Sequence, residues 1–141
     1  MHHLPYVIDV FLQPLRDNPQ AQVAVIAVLL LIVLDVLFGL GNAFLHHEYD
    51  SSKMREGLAH KAVELCFILL ACILDATIIA GIELGFTAPV LVTICVYLIV
   101  MEIGSLMETF TKIWPSVADW PFFKLLKSAH VIKIDEVGLD D

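Results

Sequence analysis

The chain has 141 residues, of which 59% are hydrophobic and 17% charged, with a formal net charge of −8. Soluble domains average about 45 to 50% apolar residues, so this composition indicates an integral membrane protein, and we expect no separate soluble domain within these residues. Much of the negative charge lies in apolar runs and in the C-terminal tail, without a basic stripe. This distribution argues against nucleic acid as a partner.

The first 22 residues form an N-terminal segment that we expect to lie at the membrane surface. Between Tyr6 and Leu15, aromatic and aliphatic residues alternate with Asp9 and Gln13, a composition typical of an interfacial stretch. The segment has three prolines but only one Lys or Arg residue, Arg16, so the basic and apolar regions of a cleavable signal peptide are missing. The first hydrophobic run is therefore expected to stay in the mature protein.

Three apolar runs of about twenty residues come next. An α-helix rises about 1.5 Å per residue, so each run is long enough to cross a hydrocarbon core of about 30 Å. Short polar connections separate the runs. We predict three transmembrane helices, at Val23–Leu45, Ala62–Ile82 and Thr87–Met107.

The residues that follow the third run combine aromatic and basic side chains. Trp114 and Trp120 each precede a proline, and tryptophan is enriched where a membrane meets water, so both are predicted to be interfacial anchors. The predicted fold is an all-α membrane protein with three transmembrane helices and a C-terminal interfacial amphipathic segment. Its expected parts are an N-terminal segment (1–22), a three-helix transmembrane domain (23–110) and a cytoplasmic amphipathic segment with an acidic tail (111–141).

Each predicted transmembrane helix carries at least one carboxylate. A central acid costs roughly 2.5 to 3.5 kcal/mol on insertion scales, so such residues usually face a protein interior or a wet cavity. Helical periodicity places them on narrow polar stripes, one on each helix. The predicted polar face for a pore or an oligomer contact comprises Asp35, Gly39, Asn42, Asp75, Glu102, Ser105 and Glu108.

Two interpretations of the deeper acids remain open from the residues alone. Asp35, Asp75 and Glu102 could be protonated and hydrogen-bonded across helices, which is a structural role. They could instead line water in a pore. No lysine or arginine lies at matching depth in the predicted helices to neutralise them.

Basic residues in the connections predict the orientation. The first connection contains Lys53, Arg55 and Lys61, whereas the second has no lysine or arginine. The positive-inside rule then places the first connection in the cytoplasm. The N-terminus is accordingly expected outside, and the C-terminus inside.

No pattern for catalysis or cofactor binding occurs in the chain. The P-loop, the dinucleotide-binding glycine motif, the nucleophile elbow and the HExxH zinc motif are all absent from the sequence. His46, His47 and His60 flank the basic connection without a diagnostic metal spacing. We expect neither an enzyme nor a metal or other cofactor.

Three segments, taken in order, resemble the bacteriophage holin family, which includes the clostridial toxin-secretion holin. They are LDVLFGLGNAF at Leu34–Phe44, SSKMREGLAHKAVELCFILLACILD at Ser51–Asp75, and YLIVMEIGSLMETFTKI at Tyr97–Ile113. In that family an acid precedes a glycine in the first helix, a Ser- and Gly-containing loop leads to a Lys-bearing second helix with a late acid, and the third helix carries Glu-x-x-Ser-x-x-Glu. On this chain the corresponding positions are Asp35, Gly39, Ser52, Gly57, Lys61, Asp75, Glu102, Ser105 and Glu108.

The resemblance implies a holin of the bacterial inner membrane. Such a protein oligomerises among the lipids and then opens holes through which an endolysin, or a toxin, passes without tight binding. A small ion channel or a proton-coupled transporter subunit would also need deep acids, and it is the main alternative. A non-transporting assembly subunit, in which the acids only join helices, is a third hypothesis.

Overall fold

The computed structural model describes residues 3–45, 51–86 and 88–128, and it contains helices and no strand within those ranges. This confirms the predicted all-α class. The helices are α1 (His3–Arg16), α2 (Pro19–Leu45), α3 (Ser51–Ile79), α4 (Val90–Ile113) and α5 (Pro121–Ser128), with a short 3₁₀ helix at Pro115–Asp119.

A cap separates α1 from α2. The side-chain oxygen of Asn18 accepts hydrogen bonds from the backbone N–H groups of Gln20 and Ala21, at 3.0 and 3.2 Å. Asparagine is a favoured N-cap residue, and Pro19 suits the first helical position because its missing N–H would have no helical partner. As a result α2 begins at Pro19, four residues before the predicted apolar run.

Helix α3 begins earlier than its apolar run and ends with a glycine motif. Most residues of the basic connection have a high helix propensity, and the connection is helical from Ser51 onward. Helix α3 therefore starts eleven residues before Ala62. At the other end, the N–H groups of Gly81 and Ile82 bond the carbonyls of Ile78 and Thr77, at 2.9 and 3.2 Å. This arrangement is a Schellman motif, and Gly81, at φ +85°, supplies its left-handed residue.

Three of the described helices are long and apolar enough to cross a membrane: Pro19–Leu45, Met54–Ile79 and Val90–Ile113. The prediction of three transmembrane helices is confirmed. Helix α4 starts at Val90, after Pro89, and not at Thr87; Thr87 itself lies outside the described residues. Proline disfavours helical geometry in the residue before it, which is consistent with this later start.

The chain divides into two compact units. The first takes Met1–Leu29 and Asp50–Ile99, so it holds α1, α3 and the N-terminal parts of α2 and α4. The second takes Leu30–Tyr49 and Val100–Asp141, with the C-terminal parts of α2 and α4 and all of α5. The predicted polar residues are distributed between them, with Asp75 in the first unit and the other six in the second.

The C-terminal part of the second unit returns onto α4. Phe123 of α5 is 3% exposed and forms a buried cluster with Met107 of α4. Ile103, Phe110, Val117 and Leu126 pack around this pair. Lys124 of α5 is exposed, and so are Phe122 and Leu125, which leaves part of the apolar surface of α5 outside this cluster.

Candidate functional site

A hydrogen bond joins α2 to α4 inside the second unit. The hydroxyl of Ser105 donates to Oδ1 of Asp35 over 2.8 Å, and both residues are half-buried. The rings of Phe38 and Phe110 meet edge to face further along the same two helices, with centroids 4.7 Å apart. Two residues of the predicted polar face are therefore brought together across one helix pair.

Glu102 lies on α4 one turn before Ser105 and is 1% exposed, which makes it one of the most deeply buried side chains of the described chain. Helical spacing puts Glu102 and Ser105 on the same side of α4. Asn42, on α2, is half-buried, and its side-chain oxygen accepts no hydrogen bond from the described residues. Within a single chain, then, most of this polar face is covered by protein.

Two predicted members of the polar face are exposed. Gly39 is exposed, and a Cβ added there would meet nothing within 4 Å, so the contacts of α2 within the chain do not require a glycine. Glu108 is exposed and pairs with Lys112 one turn later, with Nζ and Oε1 2.7 Å apart. Neither residue joins the contact made by Asp35 and Ser105.

Asp75 has a separate role in the geometry of the first unit. Its Oδ1 accepts a hydrogen bond from the N–H of Val90 over 2.9 Å, and its Oδ2 accepts one from the N–H of Leu91 over 3.0 Å. These are the first two residues of α4. The carboxylate on α3 thus caps the beginning of the next helix.

A buried ion pair lies in the N-terminal half of α3. Glu64 and Lys61 are 3% and 8% exposed, and Nζ of Lys61 is 3.6 Å from Oε2 of Glu64. His60, which is exposed, places Nε2 3.2 Å from Oε1 of the same carboxylate. The spacings of three and four residues in the sequence indicate such pairs, but they do not reveal that Lys61 is buried.

Arg55, Trp114 and Trp120, which also have predicted roles, lie on the surface of their units. Arg55 is exposed, whereas the side chain of Lys53 lies outside the described residues. Trp114 and Trp120 are 61% and 53% exposed, and their rings meet at a centroid distance of 6.4 Å. Such exposed indoles are suited to a membrane interface, so their role as anchors remains a prediction.

Metal ligands are not clustered in the described ranges, where no group of three His, Cys, Asp or Glu residues is placed to hold an ion. His46 and His47 lie outside those ranges. The sequence could have revealed the Asn18 cap through the Asn-Pro pair that opens α2. The cap formed by Asp75 bridges fifteen residues, and no short-range signal predicts it.

Comparison with known proteins gives one family. The profile described as the bacteriophage holin family matches residues 20–121, a range that covers the three helices long enough to span a membrane except for Pro19. No curated protein and no solved structure gives a significant match. The family match begins one residue after the start of α2, so α1 lies outside it.

Proposed function

Because the chain belongs to the bacteriophage holin family, we propose that it oligomerises in the bacterial inner membrane and opens holes that release an endolysin, or a toxin. The observation that carries this proposal is the family match across all three candidate membrane spans. The family is a non-enzymatic family of membrane pore formers, and together with the three long apolar helices it supports a multi-pass membrane protein. Host lysis follows when the released enzyme reaches the cell wall.

The buried polar contacts suggest how such a protein stays harmless before it opens. Asp35 is half-buried and bonded to Ser105, and Glu102 is buried, so the packing of a single chain shields Glu102 and part of Asp35 from lipid. An opening that separated α2 from α4 would expose these groups, which are stable in water but costly in hydrocarbon. The open hole would therefore place them toward its water-filled lumen.

Gly39, Asn42 and Glu108 are proposed to extend this polar face between copies of the chain. Gly39 is open on its surface, and small residues let helices approach closely in membranes. Asn42 is half-buried, and the exposed part of its side chain would contact a neighbouring copy. Oligomers would then form through surfaces that a single chain leaves unfilled.

The N-terminal segment is proposed to lie in the lipid leaflet where α3 ends. The thiol of Cys72 lies 3.6 Å from the carbonyl oxygen of Phe11, and Cys72 is seven residues before Ile79. At a rise of about 1.5 Å per residue, the middle of α1 is about 10 Å inside the end of α3. The exposed Tyr6 and Leu12 would then contact acyl chains. With the first connection in the cytoplasm, this is the outer leaflet.

The proposed function is tested by expressing the protein in a bacterium that contains a cytoplasmic endolysin without an export signal. We expect abrupt lysis after a delay, because the enzyme can reach peptidoglycan only through a protein-sized hole. Loss of membrane potential with the endolysin retained, at expression levels where oligomers are detected, would favour the ion channel or transporter instead. No effect in either measurement would favour an assembly subunit.

Variants in the same assay test the polar face. Asp35→Leu and Glu102→Leu should still insert, because each removes a costly acid from the hydrocarbon. Lysis should be shifted in time or lost, since the open hole lacks the groups that face water. Val96→Leu on the exposed side of α4 is the matched control and should lyse as the parent does. Unchanged timing in both acid variants would contradict a role for these acids in opening.

A further inference from the structure

The contact between Asp75 and α4 closes the connection between two membrane-spanning helices. Asp75 lies four residues before the end of α3, and both of its carboxylate oxygens accept backbone N–H groups from the first turn of α4. The chain between the two elements runs through Gly81 and Gly85, both at positive φ. One side chain thus fixes the position at which α4 begins.

The first turn of α4 needs an acceptor from outside the helix. The initial N–H groups of any α-helix have no carbonyl partner within it, and in a membrane each unsatisfied group costs several kcal/mol. Here the N–H of Thr93 already bonds the carbonyl of Pro89. The N–H groups of Val90, Leu91 and Val92 come before it, and the carboxylate of Asp75 accepts hydrogen bonds from the first two. A carboxylate at this end of the helix also interacts favourably with the helix dipole.

We propose that Asp75 is a latch, a positioning residue that holds α3 and α4 together as one hairpin by capping α4. The latch depends on acceptor oxygens at the position of the carboxylate. A lumen-lining acid depends on its charge and its contact with water. This assignment gives Asp75 a different part in the protein from Asp35 and Glu102, although all three are acids in candidate membrane spans.

A latch between α3 and α4 limits how the helices can move when a hole opens, and this role rests on the hole-forming function proposed above. If α3 and α4 move as one body, the rearrangement that opens a hole separates other helices and keeps this hairpin intact. Asparagine at position 75 retains one acceptor oxygen, and asparagine caps helices about as well as aspartate. Leucine retains none. Lysis should therefore depend on a hydrogen-bond acceptor at position 75 and not on a negative charge there.

The latch is tested directly by hydrogen–deuterium exchange of the full-length protein in lipid nanodiscs, resolved at Val90 and Leu91. In the parent protein these two amides should exchange at least about tenfold more slowly than those of Glu83 and Leu84 in the preceding connection, because bonds to a charged acceptor are among the stronger ones. Asp75→Leu should remove that protection, and Asp75→Asn should keep part of it.

Asp35→Leu serves as the matched control in the exchange measurement, because it removes an acid from the other unit and should leave Val90 and Leu91 protected. Fast exchange of both amides in the parent protein would overturn the latch without any variant. Equal protection in Asp75→Leu and the parent would overturn it as well.

The endolysin assay then separates a cap from a charged lining group. The latch predicts near-parental lysis for Asp75→Asn and altered lysis for Asp75→Leu. Equal impairment in both variants, with Val90 and Leu91 still protected in Asp75→Asn, would show that the charge matters and would overturn the latch as the role of Asp75. Failure of the parent protein to release endolysin would contradict the proposed function alone, because the exchange measurement does not depend on holes.

Discussion

Ser105 and Asp35 connect two helices at points seventy residues apart in the chain, through a hydrogen bond of 2.8 Å. The bond satisfies a carboxylate and a hydroxyl inside candidate membrane spans, where water is absent to do so. Its strength can be measured as a coupling between the two side chains.

A double-mutant cycle with Asp35→Leu and Ser105→Ala should give a coupling of about 0.6 kcal/mol, with about 1.7 kcal/mol as an upper bound for a bond of this kind in a membrane protein. The readout is the free energy of unfolding in bicelles. Thr93→Ala, on the exposed side of α4, is the control and should show no coupling to Asp35. A coupling of zero for Ser105 would mean that the bond does not hold the helices together.

The predicted orientation can be tested with cysteine labelling in a background without Cys66, Cys72 and Cys95. A cysteine at Ser51 should resist an impermeant thiol reagent in intact cells, and one at Glu83 should react. Glu83 is a better site than Gly85, because the positive φ of Gly85 disfavours any other residue. The reverse labelling pattern would place the first connection outside.

The contact between α5 and α4 provides a matched pair of neighbouring phenylalanines. Phe123→Ala should lower the free energy of opening α5 by about 1.5 to 3 kcal/mol, because its ring is buried beside Met107. Phe122→Ala should have a small effect, since Phe122 is 58% exposed. Limited proteolysis or amide exchange of α5 distinguishes them. Similar effects of both substitutions would argue against packing of α5 on α4.

The depth of α1 can be measured by fluorescence quenching. After Trp114 and Trp120 are replaced by phenylalanine, Phe11→Trp should be quenched by lipids brominated in mid-chain about as well as Phe67→Trp, which lies within α3. Phe86→Trp, in the connection before α4, should be quenched less. Quenching of Phe11→Trp by an aqueous quencher alone would place α1 in water, and protection from both quenchers would indicate that another copy of the chain covers it.

The turn between α1 and α2 should be sensitive to low pH. Hydrogen bonds from the guanidinium of Arg16 are the main reason that the pKa of Asp17 lies below its ordinary value. Because the folded-state pKa is lowered, the stabilisation is complete above the unfolded-state pKa and is lost as pH falls through the folded-state pKa. In an NMR titration, Arg16→Gln should raise the pKa of Asp17 toward the ordinary value, while Arg55→Gln should leave it unchanged.

The sequence determined by itself that the chain is an all-α membrane protein. A run of about twenty apolar residues forms a helix about 30 Å long, which matches the hydrocarbon core and satisfies its own backbone hydrogen bonds there. Three such runs therefore predict three membrane spans without any knowledge of how the helices pack. The same reasoning works for amphipathic α5, because helical periodicity is a local property. The resemblance carried by ordered motifs around Asp35, Asp75 and Glu102 also indicated the family that the profile match shows.

Only the tertiary structure decided what each polar residue contacts. The sequence pattern assigned Asp75 and Asp35 to the same predicted polar face. In the structure, Asp75 caps α4, whereas Asp35 accepts a hydrogen bond from Ser105. The partners lie fifteen and seventy residues away, and such distances along the chain become contacts only after the helices have packed. Lys61 is a second example. Its position in the basic connection predicts a solvated residue that sets the topology, whereas the packed structure buries it beside Glu64. A local pattern specifies the face of a helix, and tertiary packing specifies what that face meets.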